Sequence, residues 1–255
     1  VPVFGDVCPN SWALTPVIAR RVLDRVHLDL IMPVAAFGLP LPCAEWDGFV
    51  AETKVPVLAD AAAALGTQTL GKRVHWTFSM HATKPMGIGE GGLFVSFDAT
   101  LAERVRRLAN FGFDARLVRV AGGTNAKLSE YTAAVGLAQL ERWPRMRAVR
   151  SLVLQDYRRR LANVPDVAMQ SGEDFPPATS CVRIPADAAV VAEGLARAGI
   201  ETRRWYLPPL YEHPVFGDTP RIGPDGGRRL PATEYLATAL LGLPFNTRLS
   251  TEDVA

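Results

Sequence analysis

The sequence predicts an α/β protein whose mostly parallel sheet is flanked by helices, followed by a smaller α+β unit. Three observations carry this reading. Short apolar, β-branched runs alternate with helix-length segments through the first half of the chain, the order that strand–helix–strand crossovers produce. The run Val55-Pro-Val-Leu-Ala stops at Asp60, as a buried strand does when it delivers a carboxylate to the end of a sheet. After Trp143-Pro144 the pattern changes to a basic helix, a strand and another helix.

Taken in order, residues 1–7 and 28–34 read as strands on either side of a helix at 16–25, and a second helix at 43–52 leads into the strand 55–59. Residues 93–97 form the next strand. Thr100-x-x-Glu103 has the form of a capping box for a helix that puts Leu101, Val105 and Leu108 on one face, and Gly112 closes that helix. The basic helix through Arg160, a strand at 181–184 and a helix at 187–198 make up the smaller unit. The division falls near residue 143, giving a large unit at 1–142 and a small one at 143–255. Residues 217–229, rich in Gly, Pro and Arg, are expected to be the least regular stretch.

Composition narrows the function classes. A chain of 255 residues that is 48% hydrophobic and 21% charged can bury a sizeable core. A formal net charge of +2 gives no basis for a nucleic-acid partner or an anionic membrane surface. Cys8, Cys43 and Cys181 are odd in number and widely spaced, which fits neither a disulfide framework nor a metal site. With no signal-peptide pattern and no apolar run long enough to span a bilayer, the expected location is the cytoplasm. The chain starts Val-Pro-Val without a methionine, so it is expected to be a fragment or a processed product.

The most informative side chain is Lys84, one of four lysines in an arginine-rich sequence. It lies between an apolar run and the glycine-rich stretch Gly87-Ile-Gly-Glu-Gly-Gly92. Unlike arginine, a lysine can lose its proton in a desolvated site, attack a carbonyl and hold a Schiff base, which makes Lys84 a candidate anchor for pyridoxal phosphate. Asp60, at a strand end, suits the pyridinium nitrogen of the same cofactor, although a helix N-cap would also use it. The glycine run matches G-x-G-x-x-G, yet a dinucleotide site needs a helix next, and residues 93–97 read as a strand. His75 and His81 lack a third ligand at a recognised spacing and are expected to be stacked or hydrogen-bonded. Arg203, Arg204, Arg221, Arg228 and Arg229 could grip a diphosphate or form a solvated basic surface.

Read together, Val3-Phe-Gly-Asp6-Val, Pro33-Val-Ala-Ala-Phe-Gly38, Asp60-Ala-Ala, the Lys84 run, Asn110-Phe-Gly-Phe113, the Asn125 segment Gly123-Thr-Asn125-Ala-Lys-Leu-Ser129 and Gly199-Ile-Glu-Thr-Arg203 through Pro208-Pro-Leu210 resemble the DegT/DnrJ/EryC1/StrS sugar aminotransferases. These are fold-type I pyridoxal phosphate enzymes. The resemblance implies that Lys84 carries the cofactor, Asp60 pairs with its ring nitrogen and Ser79 bonds its phosphate. It also implies that Asn125 reaches the neighbouring subunit's site, so the assembly is a homodimer. The expected reaction moves an amino group, with glutamate as donor, onto a nucleotide-linked keto-deoxysugar, and the Asn110 and Gly123 variants resemble members acting on dTDP-4-keto-6-deoxysugars. A lysine at position 84, where a related dehydratase branch has histidine, favours transamination.

Two departures matter. Where the family carries His or Gln three residues after the aspartate, this chain has Ala63, a loss of about 0.5–1.5 kcal/mol if one hydrogen bond to the cofactor is gone. The family's segment upstream of Val3, with its phosphate turn and stacking aromatic residue, is also missing. Together they motivate an alternative, a non-catalytic relative serving as a scaffold or regulatory subunit.

Overall fold

In the computed structural model, which describes residues 1–172, 175–185 and 187–254, the chain opens with a short strand, β1 (Phe4–Gly5). It does not join a sheet with residues 28–34, as the sequence suggests, but pairs in parallel with Arg221–Ile222 far along the chain. Helix α1 (Pro16–Leu23) starts where Thr15 accepts a hydrogen bond from the Ile18 amide (3.3 Å) and Pro16 takes the first helical position. It buries Ala19 and Val22. Helix α2 (Cys43–Thr53) buries Trp46 and Phe49 and stops at Lys54, whose backbone is left-handed (φ 63°, ψ 4°).

The Asp60 strand is where the sequence puts it. Strand β2 (Leu58–Asp60) pairs in parallel with β3 (His75–Ser79), which pairs antiparallel with β4 (Gly92–Val95). On the other side of β2, residues 31–34 run parallel through the bridges Ile31–Val57 and Val34–Asp60, short of a regular strand. Alternation along β3 buries Trp76 and Phe78 against the core that holds Trp46, Phe49, Val57 and Ala59. Thr77 and Ser79 therefore fall on the opposite face, and Asp60 sits beside Thr77.

Helix α3 (Ala99–Ala109) corrects the capping-box expectation. Its cap is Asp98, which accepts from the Thr100 and Leu101 amides, while Glu103 turns to Arg106 and Arg107. A carboxylate one residue before Ala99 outcompetes the hydroxyl inside the first turn. Gly112 (φ +80°) follows the helix, its amide on the Arg107 carbonyl at 2.8 Å, and the hairpin of β5 (Phe113–Asp114) and β6 (Leu117–Val118) comes next.

Helix α4 (Glu130–Leu161) runs for 32 residues, capped by Ser129, and carries Pro144 inside it. The division expected near residue 143 thus falls within one continuous helix. Beyond it, β7 (Ala168–Met169), β8 (Cys181–Arg183), α5 (Ala188–Arg197), β9 (Arg221–Ile222), α6 (Pro231–Ala239) and β10 (Leu240–Gly242) complete the chain. A three-stranded antiparallel sheet, β10-β8-β7, packs with α5 and shares a core of Val182, Ile184, Ala188 and Leu241. Residues 217–229, expected to be irregular, hold β9 and a turn closed by the Gly223 amide on the Gly227 carbonyl (2.8 Å). Trp12 and Phe37 pack with Cys181, Leu236 and Leu240, joining the first part of the chain to the last.

Candidate active site

Parallel pairing puts the ends of β2 and β3 at one edge of the sheet, the position where α/β proteins gather ligands. Asp60 ends β2, half-buried, and its Oδ1 accepts from the Ala62 amide at 2.9 Å, a turn that starts the Ala61–Ala64 segment. In the register, Asp60 lies opposite Thr77, and Ser79 is two residues further on the same face of β3. The Ser79 hydroxyl accepts from the His81 amide at 3.2 Å.

Residues 80–91 then form a closed turn. The Met80 amide bonds the Gly91 carbonyl (2.9 Å), Ala82 bonds Gly89 (2.7 Å) and Ile88 returns to Met80 (2.8 Å). Lys84 sits at its tip, with its own amide on the His81 carbonyl (2.9 Å) and its carbonyl held by the Gly87 amide (3.0 Å). A Cβ at Gly87 would come within 2.7 Å of the Ala82 carbonyl oxygen, so only glycine lets the turn fold this tightly. Among the described residues the Lys84 amine has no hydrogen bond or ion pair.

That amine borders a cavity of about 500 Å³. Ala63 and Thr83 are on the same side, and Phe37, Ala178, Thr179, the 201–206 segment and residues 242–246 complete the wall. Tyr206 stacks on Phe37 (5.6 Å between centroids, 14° between planes) and its pKa is raised, first by burial and then by Cys181 and Asp60. Burial pushes the Cys181 thiol well above its ordinary range, so it stays protonated and Asp60 is the charge that acts on Tyr206. The carboxylate that ends β2 is therefore electrostatically in touch with a cavity residue.

Of Lys84, Asp60 and Ser79, Lys84 alone borders this cavity. Asn125 is exposed, does not border the cavity, and its backbone bridges Asn110; the Phe111 amide bonds the Thr124 carbonyl (3.0 Å), so the two sequence motifs sit side by side. Of the five arginines considered for a diphosphate, Arg203 alone borders the cavity. Arg204 pairs with Asp187, Arg229 with Glu234, and Arg221 covers the Tyr211 ring. His75 bonds Ser96 and His81 bonds Thr83, both at 2.9 Å, in keeping with the hydrogen-bonded reading. Among the described residues no group of three His, Cys, Asp or Glu is placed to hold a metal, and no helix is long and apolar enough to cross a membrane. Strand β4 follows the glycine run, so the dinucleotide motif lacks its helix.

The family model for DegT/DnrJ/EryC1/StrS aminotransferases matches residues 1–255. The chain belongs to this family. It is 33% identical over 266 residues to Protein Rv3402c of Mycobacterium tuberculosis, covering 100% of this chain and 64% of that protein's length. A solved structure of DesI in the presence of its TDP-sugar product superposes with a TM-score of 0.85 at 32% identity, over 100% of this chain and 66% of DesI. One from Bacillus cereus, assigned as a PLP-dependent aminotransferase, gives 0.88 at 26% identity, over 99% of this chain and 71% of that one. The family fold is thus the α/β fold that the sequence motifs imply.

Sequence reading alone does not single out Ala178, Thr179 or Tyr206. Ala178 and Thr179 lie outside every motif, Tyr206 falls within the stretch from Gly199 through Leu210 without a role of its own there, and only packing brings the three to the cavity that Lys84 borders.

Proposed function

We propose that the whole protein of which this chain forms the described part is a pyridoxal phosphate-dependent aminotransferase acting on a nucleotide-linked keto sugar. The observation that carries this is Lys84, with no hydrogen bond or ion pair on its amine among the described residues, on the wall of the 500 Å³ cavity. The residues present fit the cofactor. Lys84 would hold it through the amine; Asp60, with Oδ2 free of any hydrogen bond among the described residues, would face the ring nitrogen; and the Ser79 hydroxyl would reach the phosphate. When bound, the cofactor supplies an electron sink for the substrate carbon.

The chain's own groups do the rest. Asp60 would favour a proton on the ring nitrogen by offering it a negative charge. The Lys84 amine would act as base and acid, carrying a proton between the substrate carbon and the cofactor carbon, which calls for a side chain with no other partner. Phe37, buried beneath the Tyr206 ring that stacks on it, forms part of the cavity wall, and Arg203 on the same wall would offer a guanidinium to a phosphate or carboxylate.

The substrate class follows from the family and from DesI, solved in the presence of its TDP-sugar product; glutamate is the proposed donor. We place the enzyme in the cytoplasm, in keeping with three free cysteines. Incubating the full-length protein with keto-sugar nucleotides and glutamate, then seeking an aminated sugar by mass spectrometry, tests the reaction; no product across a broad panel rejects it.

A homodimer goes with this reading, because Asn125 is exposed and does not border the chain's own cavity, and the same stretch of chain exposes the apolar side chains of Phe111, Leu117, Val118, Tyr131 and Leu137. Mixing Asn125→Ala with Lys84→Ala chains should restore activity in heterodimers, since one shared site then carries both lesions and the other none. Subunit exchange without restored activity rejects the shared site. The non-catalytic alternative draws on Ala63, which lines the cavity where the family pattern supplies a polar side chain. A full-length protein that neither retains pyridoxal phosphate nor yields a visible absorbance band on adding it would favour that alternative.

A further inference from the structure

Three polar side chains of α4 lie on one stripe of the helix. Gln139, Arg150 and Tyr157 are spaced by 11 and 7 residues, about three turns and two turns at 3.6 residues per turn. Each one binds a carbonyl of a segment that borders the Lys84 cavity or adjoins it. Gln139 Nε2 donates to the Gly87 carbonyl at 2.9 Å, inside the turn that carries Lys84. Arg150 Nη2 donates to the carbonyls of Pro177 (2.6 Å) and Ala178 (2.9 Å), and its guanidinium lies 4.5 Å from the Phe245 ring centroid. The Tyr157 hydroxyl donates to the Pro244 carbonyl at 2.8 Å. Ala178, Pro244 and Phe245 all line the cavity.

Arg150 is the unusual member. It is only 6% exposed, and among the described residues it has no carboxylate partner, its Nε being unbonded. Burying a cation without a counter-ion is costly, and where packing alone is needed an apolar side chain of similar size serves better. What arginine offers here is its geometry: one terminal nitrogen, Nη2, reaches two successive carbonyls while the flat guanidinium face covers an aromatic ring. Desolvation lowers its pKa to about 10, so it remains charged at neutral pH.

We infer that Arg150 is a positioning residue: it fixes Pro177, Ala178 and Phe245 as one wall of the cavity, in register along α4 with the Lys84 turn that Gln139 holds. The wall's consequence for substrate placement rests on the aminotransferase reading; the wall itself does not. The ordered wall and Lys84 border the same cavity, and the wall carries none of the groups that would move a proton, so loosening it should weaken substrate binding more than it slows the proton transfers at Lys84.

The test is made on the full-length protein with Arg150→Lys and Tyr157→Phe. Hydrogen exchange of the cofactor-free protein is read by mass spectrometry, and steady-state kinetics are measured on the loaded enzyme. Arg150→Lys keeps the charge but removes the planar guanidinium that covers Phe245 and holds Nη2 between the two carbonyls. It should raise exchange at least about tenfold in peptides covering 176–180 and 243–247, with β2, β3 and the Lys84 turn unchanged. It should also raise KM for the sugar nucleotide about tenfold with kcat within about threefold. Tyr157→Phe should loosen 243–247 alone, and it carries the test if Arg150→Lys fails to fold. Unchanged exchange in these peptides overturns the inference whatever the activity, and so does a fall in kcat at constant KM. If exchange responds as stated while the wild-type protein aminates no sugar nucleotide, the proposed function fails and the wall stands.

Discussion

Residues 58–92, with two parallel strand ends and one hydrogen-bonded turn, bring Ala63, Thr83 and Lys84 to the cavity as one side of its lining, whereas the other side gathers Phe37, residues 178–179, the 201–206 segment and residues 242–246 from across the chain. The first side is local. Its chemical groups follow one another at fixed spacings, because a strand's alternation and a turn's closure set where Asp60, Ser79 and Lys84 point. The second side exists only through long-range contacts: the Phe37 carbonyl accepts from the Ala178 amide at 2.8 Å and the Thr179 amide at 3.1 Å, and α4 holds the rest. Chemistry is thus concentrated on the local side and shape on the assembled side, and each can be disturbed with little effect on the other.

The largest effect should come from Lys84→Ala. Removing the base should lower turnover of the full-length enzyme by about 10²–10⁴-fold or more. Because the amine has no partner, the urea midpoint should move little, within about 0.5 kcal/mol. A large loss of stability would show that Lys84 also holds the wall together and would break the division between the two sides.

This division also explains what could be read from the sequence. Helices α1, α2, α3 and α5 and strands β2, β3 and β4 are legible because each carries its own periodicity and end signals, as at Thr15 before α1 and Asp187 before α5. The capping box at Thr100 misleads because Asp98, a stronger cap, stands two residues earlier. Residues 1–7 carry a strand-like pattern, yet the partner of β1 is Arg221–Ile222, and pairing across such a distance leaves no local trace. Pro144 resembles a helix breaker, but packing keeps α4 continuous: Trp143 donates to the Gly66 carbonyl (3.3 Å) and Gln139 to Gly87. Lys84 and Asp60 stand out by residue type and context. Arg150 does not, since one arginine among many gives no sign that it will be buried.

Gly38 joins the two sides directly. Its φ is +94°, and a Cβ there would lie 2.5 Å from the Ala63 carbonyl oxygen and 2.6 Å from the Ala178 nitrogen. Gly38→Ala should therefore combine backbone strain with overpacking and cost about 2–4 kcal/mol, read as a lower urea midpoint. A change below about 1 kcal/mol would mean that the walls can shift apart freely.

Asp6 reaches only the assembled side. Buried at 3% exposure, it accepts from the Ala232 and Thr233 amides (3.0 and 2.9 Å) and the Thr233 hydroxyl (2.8 Å), capping α6 from the far end of the sequence. Helix α6 runs directly into β10 and the cavity residues after Leu241. Asp6→Ala should cost about 1–3 kcal/mol and raise hydrogen exchange in α6 and β10, leaving β2 and β3 protected. Equal loosening of the Lys84 side would show that the two halves unfold as one unit.

The smallest effect concerns Tyr206, which stands between the two sides with Phe37 stacked on it and Asp60 within electrostatic range. Burial and then negative charge raise its phenol pKa above the ordinary value near 10. A raised pKa means that the folded state holds the proton more tightly than the unfolded chain does. The stabilisation is fully present below the unfolded pKa and is lost as pH climbs from there through the folded pKa. Urea midpoints of the wild type and Tyr206→Phe should therefore keep a constant separation up to about pH 10, above which the wild type should lose stability relative to the variant. Adding Asp60→Asn should shrink that alkaline loss, because one of the charges opposing the phenolate is gone. If the loss is the same with and without Asp60, the carboxylate does not act on Tyr206, and the electrostatic link between the β2 strand end and the assembled wall is broken.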